Sequence, residues 1–314
     1  MSSTLETPSP RKLTSRIKGL IKRSLFLTDA APPEPEPVLP PEPVLLPEPE
    51  AVPPPPDPTI LRRRAVTEQY LSGNGLEIGA LHKPLEVPEL VRVTYVDRLS
   101  VADLREQYPE LAGLDLVEPD ILDNGETLGT IETDSQDFVI ANHFLEHCQD
   151  PIRTIANLLR VLKPEGILYM AVPDMRYTFD VHRPITDIAH ILRDYQEGPE
   201  WSKRQHFRES VKFVDLRFFL ERDISDEVAL MPEIEASVDR YIAIDYSIHF
   251  HAWTQTEILE LLQTLQRMPD FTPFEVELVQ KNGMEIITVL RKASAPEPES
   301  SPELSETPPL PLPA

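Results

Sequence analysis

Apolar positions along the middle of the chain fall into two alternating patterns. Runs at 76–80, 91–96, 114–117, 138–141 and 167–172 are short and rich in Val, Ile and Leu, as buried strands are. Between them, 101–108 and 151–162 place apolar residues every three or four positions. In the second of these, Ile152, Ile155, Ala156, Leu159 and Leu162 share one face, and Lys163-Pro164-Glu165-Gly166 stops the helix. Strands joined by helical crossovers predict a parallel sheet. A further helix is predicted over 254–268. After it, runs at 274–279 and 284–290 flank Gln280-Lys281-Asn282-Gly283, where Asn-Gly signals a hairpin. The predicted fold class is α/β, a doubly wound and mostly parallel sheet that ends in a C-terminal antiparallel hairpin.

The segment between the fifth strand and the helix at 254 is too long for a plain connection. It is predicted to form a helical cap over about 175–253. Outside the sheet the composition changes. Of 35 prolines, fourteen lie between Pro32 and Pro58 and seven from Pro296 onward. Both stretches favour extended, solvated chain that cannot build a core. The predicted organisation is a basic segment at 1–30, a Pro/Glu-rich linker at 31–58, one domain at 59–292 and a Pro/Glu-rich tail at 293–314. Within the first segment, Leu13, Ile17, Leu20, Ile21 and Leu27 share a helical face, and six bases oppose two acids. A helix over residues 11–27 could lie on an anionic membrane or dock on a protein, although Gly19 weakens it.

Charge and composition exclude several classes. The chain carries a net charge of −23; with the first segment at +4, the linker at −6 and the tail at −4, the domain carries −17. Such a domain repels a phosphate backbone, so no nucleic-acid partner is expected. The single Cys148 excludes an internal disulfide and any multi-cysteine zinc site. No G-x-x-x-x-G-K-[S/T] phosphate loop occurs, and no apolar run approaches the roughly 18 residues of a membrane span. A signal peptide is not evident. The expected setting is cytoplasmic, with a peripheral membrane contact through 11–27 as the variant.

In a doubly wound sheet, ligands bind at the carboxyl ends of the strands. The residues predicted there are the turn after Ala80, Asp97, Asp120 and the pair Asn142-His143. A carboxylate such as Asp97 can accept hydrogen bonds from two ribose hydroxyls at once. Asp120 and the backbone after it suit the edge of a base.

Residues 73–174 resemble a class I S-adenosylmethionine-dependent methyltransferase, of the type 11-like domain kind. The resemblance rests on the run from Ser135 to His147, on Asp150-Pro151, and on Leu158 to Leu168 with its Leu162-Lys163-Pro164-Glu165-Gly166 closure. It implies a Rossmann-like fold, S-adenosylmethionine as cofactor and a small-molecule acceptor. By the same resemblance, Glu77 and Gly79 lie near the methionine moiety, Asp97 at the ribose and Asp120 with Ile121 at the adenine. Asn142 and His143 would then line the site beside the methyl group. The chain departs from the family at the Gly-x-Gly-x-Gly turn: Glu77-Ile78-Gly79-Ala80-Leu81-His82-Lys83 keeps only the first glycine.

Methyl transfer needs alignment, and a base if the acceptor is a hydroxyl. Five of the eight histidines lie in the predicted cap. Strand-like alternation in His249-Phe250-His251 would aim both imidazoles to one side, so His249 and His251 join His143 as candidate catalytic groups. Asp174, Arg176, Tyr177 and Arg183 are candidates for holding a polar or anionic acceptor. His143-Phe144-Leu145-Glu146-His147 also spells H-x-x-E-H, a zinc-hydrolase pattern. Because it follows a sheet strand, no metal site is assigned to it. The expected activity is methyl transfer to O or N of a small polar acceptor, such as a sugar or glycan intermediate. The alternatives are a non-catalytic scaffold of the same fold and a metal-dependent enzyme that uses the cap histidines.

Overall fold

The computed structural model describes residues 57–294, so the helix expected over 11–27 and most of the proline-rich stretches lie outside the described residues. Seven strands form one sheet in the order β3-β2-β1-β4-β5-β7-β6. They are β1 (Asn74–Ile78), β2 (Arg92–Asp97), β3 (Ile121–Leu122), β4 (Gln136–Asn142), β5 (Leu162–Pro173), β6 (Phe274–Asn282) and β7 (Glu285–Lys292). The first five run parallel, and β7 pairs antiparallel with both β5 and β6. The strand order reverses at β1, between β2 and β4, and this is where a doubly wound sheet opens a crevice.

The helices are α1 (Pro58–Tyr70), α2 (Val101–Gln107), α3 (Pro151–Val161), α4 (Ile188–Glu197), α5 (Glu200–Glu209), α6 (Glu227–Ala243) and α7 (Gln255–Arg267). One core joins alternate residues of the central strands, such as Leu76, Val139 and Leu168, to Ile155 and Leu159 of α3 and Leu262 of α7. The opposite parity, with Phe138, Ile140 and Tyr169, packs on Val66 of α1 and on Leu71. This two-sided burial explains why the parallel strands read as apolar runs. The predicted α3 and α7 are present within one or two residues. Thr254 and Glu257 form a capping box that starts α7, and Asp150 caps α3.

Three sequence expectations need correction. The third strand is not at 114–117 but at Ile121–Leu122, seven residues later. The earlier run instead crosses under the turn after β1, where Val117 N–H donates to the carbonyl of Leu81 (2.7 Å). Two paired residues at a sheet edge leave almost no period for a sequence to show. The helix α1 was not anticipated; its exposed arginines obscure a short buried face. In the hairpin, Asn282 pairs with Glu285, so the two-residue loop is Gly283-Met284 and Gly283 supplies the positive φ of 64°. Asn282 is buried instead and donates its amide to Glu285 Oε1 (2.7 Å).

The segment between β5 and α7 does form a helical cap, with two 3-10 turns, α4, α5, a π-helical stretch Ser210–Phe219 and α6. It has a core of its own, in which Phe207, Val211, Leu230, Ile234, Ile248 and Phe250 meet. The chain leaves α6 and returns over the carboxyl end of the sheet as an irregular strap, residues 245–254.

Candidate active site

A cleft of about 440 Å³ lies at the carboxyl ends of β1, β2 and β4, within the range of small-molecule and cofactor sites. Its floor comprises Ile78, Gly79 and Leu81 after β1, Asp97 and Arg98 after β2, Asn124 to Glu126 after β3, and His143 after β4. The strap covers it with Asp245, Tyr246, Ser247 and Phe250. Across the mouth, Arg98 donates to Asp245 (2.8 Å) and to the hydroxyl of Tyr108 (2.7 Å).

The turn after β1 holds two residues in the left-handed region. Gly79 has φ 63°, and a Cβ there would meet no atom within 4 Å, so its open side faces free space. Leu81, where the resembled pattern has its second glycine, holds φ 50°. A non-glycine side chain in the left-handed region costs about 1–2 kcal/mol. Glu77 fixes this turn from below: its carboxylate is fully buried and accepts from the N–H of Leu85 (2.9 Å). Burial pushes its pKa up to about 7, although the Leu85 bond and Arg63 oppose the shift. Glu77 therefore positions the turn and does not line the cleft.

Asp97 ends β2 at the cleft, with Oδ1 accepting from Leu99 N–H (3.1 Å). Burial raises its pKa. Asp120 and Ile121 lie elsewhere. The Asp120 carboxylate accepts from the N–H of Tyr95 (2.8 Å) on an exposed sheet edge, and Ile121 packs against the core. With β3 shifted, the loop that reaches the cleft is Asn124-Gly125-Glu126. A Cβ on Gly125 would come within 2.6 Å of Ile78 and 2.7 Å of Phe144, so only glycine lets this loop cross the end of β1.

His143 lies at the end of β4 with φ 48°, its ring half-exposed to the cleft. Its Nε2 lies 2.9 Å from Glu285 Oε2 and its Nδ1 3.6 Å from Glu146 Oε1. Burial alone would lower its pKa, but the two carboxylates outweigh it and push it up to about 9. At neutral pH this is an imidazolium. Asn142, one residue before, has a buried amide with no protein partner on either atom.

His147 is the second imidazole at the cleft, one that sequence reasoning left inside the H-x-x-E-H run. Leu145–His147 is a single 3-10 turn, so the run does not form the helix that pattern requires. The Nδ1 of His147 lies 2.9 Å from the carbonyl of Ile248. A carbonyl only accepts, so Nδ1 carries the proton and Nε2 the lone pair. Burial, with His249 nearby, pushes its pKa down to about 4. Glu146 is fully buried beside His143 and His249, neither of its oxygens with a hydrogen bond, and those imidazoles hold it below the usual carboxylate range despite burial.

The two strap histidines do not face one way. Residues 249–251 are irregular and form no strand. His249 Nδ1 pairs with Asp180 Oδ2 (2.7 Å) and its ring meets His147 edge-on at 4.7 Å. His251 is buried against Asp194, His190 and His206, away from the cleft. The proposed acceptor group also lies elsewhere. Arg183 is buried and donates to Asp180 and to the carbonyls of His249 and Phe250, which ties the strap to the cap. Asp174 holds Arg176 in a bidentate pair, and Tyr177 receives Lys281 at 2.5 Å beside the hairpin. None of these four lines the cleft.

Comparisons with known proteins bear on this arrangement. Residues 72–170 match the family model of a methyltransferase domain. No curated protein matches the chain. Similar solved structures include a SAM-dependent methyltransferase from Methanosarcina mazei, 19% identical, covering 72% of this chain and 95% of its own, with a TM-score of 0.37. A SAM-dependent methyltransferase from Aquifex aeolicus is 13% identical and covers 76% and 94%, with a TM-score of 0.38. A structure from Rhodobacter sphaeroides described as a putative Zn-dependent alcohol dehydrogenase is 17% identical and covers 74% and 90%, with a TM-score of 0.45. Among the described residues no helix is long and apolar enough to cross a membrane.

Proposed function

We propose that the protein, whose residues 72–170 match the model of a methyltransferase domain, transfers a methyl group from S-adenosylmethionine to O or N of a small polar acceptor held under the strap, a sugar or glycan intermediate being the favoured class. The carrying observation is that Asp97 and the Gly79–Leu81 turn meet at one cleft. S-adenosylmethionine, when bound, supplies a methyl group on a sulfonium centre. Gly79, by its open side, admits the methionine part close to the backbone, and Asp97 accepts the ribose hydroxyls. Asn124 and Gly125 take the adenine edge in place of Asp120 and Ile121.

The rest of the lining serves the acceptor. Glu126, Gln149 and Ser247 offer hydrogen bonds, and Tyr108 and Tyr246 offer ring faces 5.7 Å apart. With Arg98 paired to Asp245 and His143 to Glu285, the acids and amides beside aromatic rings suit a neutral polyhydroxylated molecule better than a phosphate. His147 takes the acceptor's proton at Nε2, with Ile248 fixing the tautomer. The buried Glu146 carboxylate favours the charge that then forms on the imidazole. His143, its nitrogens turned to Glu285 and Glu146, lines the acceptor side with its ring and balances negative charge that develops on the acceptor oxygen.

The test is transfer of labelled methyl from S-adenosylmethionine to panels of neutral sugars, sugar conjugates and amines. Turnover on hydroxylated acceptors that falls about 100-fold in His147→Gln, with cofactor affinity kept, is expected. Turnover unaffected by that change would remove His147 as the base, and labelling confined to amines would remove the sugar class.

A further inference from the structure

Away from the cleft, four side chains converge inside the cap. His190 and Asp194 lie one turn apart on α4, His206 lies on α5 and His251 on the strap. Their ring nitrogens and carboxylate oxygen all lie within 4.8 Å of one another. His190 Nε2 is 3.0 Å from His206 Nε2 and 3.2 Å from Asp194 Oδ2, and His251 Nε2 is 3.1 Å from the same oxygen. Four ligands at about 2.0–2.1 Å from a tetrahedral zinc ion are about 3.3 Å apart. Three of the six separations come close to the edges of that tetrahedron, and the others stay within 4.8 Å.

Hydrogen bonding accounts for the arrangement only in part. His206 can donate to His190 Nε2 and His251 to Asp194, but His190 Nε2 then faces Asp194 Oδ2 at 3.2 Å with no proton between them. The outer Nδ1 atoms of His206 and His251 have no partner, so the polar neighbours of these rings lie only inside the cluster. Asp194 is oriented as a one-oxygen ligand: its Oδ1 accepts from the hydroxyl of buried Ser202 (2.9 Å), which leaves Oδ2 facing inward.

We propose that His190, Asp194, His206 and His251 form a closed, four-coordinate zinc site that pins the strap to α4 and α5. Three imidazoles and one carboxylate are ligands that zinc accepts, and a site with all four positions filled by protein has no place for water or substrate. Its role is structural. The strap it anchors carries Ser247 and Phe250 over the cleft, so the metal sets the shape of the acceptor side without touching the reaction.

Zinc content of the purified full-length chain tests this, with about one equivalent expected for a single site. Stripping the metal with a chelator should lower the melting temperature by about 5–10 °C, and Zn²⁺ but not Mg²⁺ should restore it. Co²⁺ in its place should give the visible absorption of a tetrahedral ion. His206→Ala and the near-isosteric Asp194→Asn should both lose the metal, the second while keeping its helical circular dichroism. A stripped protein whose melting responds to neither Zn²⁺ nor Co²⁺ overturns the proposal. So does zinc that survives in Asp194→Asn and His206→Ala but is lost from His249→Ala, since that places it in the group of Glu146, His147 and His249 beside the cleft.

Discussion

The Nε2 of His143, at the end of the fourth strand, lies 2.9 Å from Oε2 of Glu285, a carboxylate that Arg63 of the first helix grips from its other side. Two residues far apart in sequence thus set the charge of the imidazole that faces the cleft. Burial by itself would raise the Glu285 pKa, but His143 and Arg63 bring it down to about 2, while His143 rises to about 9. Replacing Glu285 with Gln should lower the His143 value by about one unit or more, since one of its two carboxylate neighbours loses its charge. A proton-detected titration of His143 in the two proteins measures this. The stability that comes from protonating His143 is complete below about 6.5 and fades as pH rises through about 9. In Glu285→Gln that contribution should be smaller and its fade should end at lower pH. An unchanged His143 titration would mean that Glu146 alone sets the charge.

Glu77 gives an opposite kind of pH dependence. Its folded pKa of about 7 lies above the ordinary 4.5, so the folded state keeps a proton that the unfolded chain releases. Stability from this group therefore falls as pH rises from about 4.5 to 7, by about 3 kcal/mol in all. His147, held down near 4, works the other way over 4 to 6.5 and masks the trend in the wild type. The difference between wild type and Glu77→Gln isolates it. Between pH 4.5 and 8, denaturant unfolding should show the gap moving by about 3 kcal/mol in favour of the variant. A gap that stays constant would mean Glu77 ionises normally.

The start of the domain can be fixed by two truncations. Asp57 caps α1, its Oδ1 accepting from Thr59 N–H at 2.8 Å, and Pro58 is the first helical residue. A fragment beginning at residue 57 should therefore be more stable than one beginning at 59, by about 0.5–2 kcal/mol. Urea midpoints of the two fragments decide the matter. Equal midpoints would show that the first turn of α1 contributes nothing to the fold.

Much of the sheet was legible because buried parallel strands and amphipathic helices leave plain periodic marks. The run of 138–141 and the face of Ile152, Ile155 and Leu159 are examples. The turn chemistry was legible only in part. Asn282-Gly283 located the hairpin, but Gly283 does the turning while Asn282 binds Glu285. A two-residue strand such as Ile121–Leu122 has too few positions to show a pattern, so Asp120 was placed in the site when it lies on the exposed edge. Side-chain destinations in the cap were hidden for a different reason. His249 and His251 are two positions apart on irregular chain, and only tertiary packing sends one to Asp180 and the other to Asp194. Arg183 looked available for an acceptor because nothing in a sequence shows that two strap carbonyls lie within its reach.

Calorimetric titration of the full-length chain with S-adenosylmethionine and S-adenosylhomocysteine, alongside Asp97→Ala, tests the central claim most directly. The account predicts micromolar binding to the wild type, and a loss of about 10- to 150-fold in the variant from the missing charged hydrogen bonds. Absence of binding to the wild type would mean that Leu81 in the glycine position closes the site and that the domain serves as a scaffold. Equal binding by Asp97→Ala would contradict the placement of the ribose.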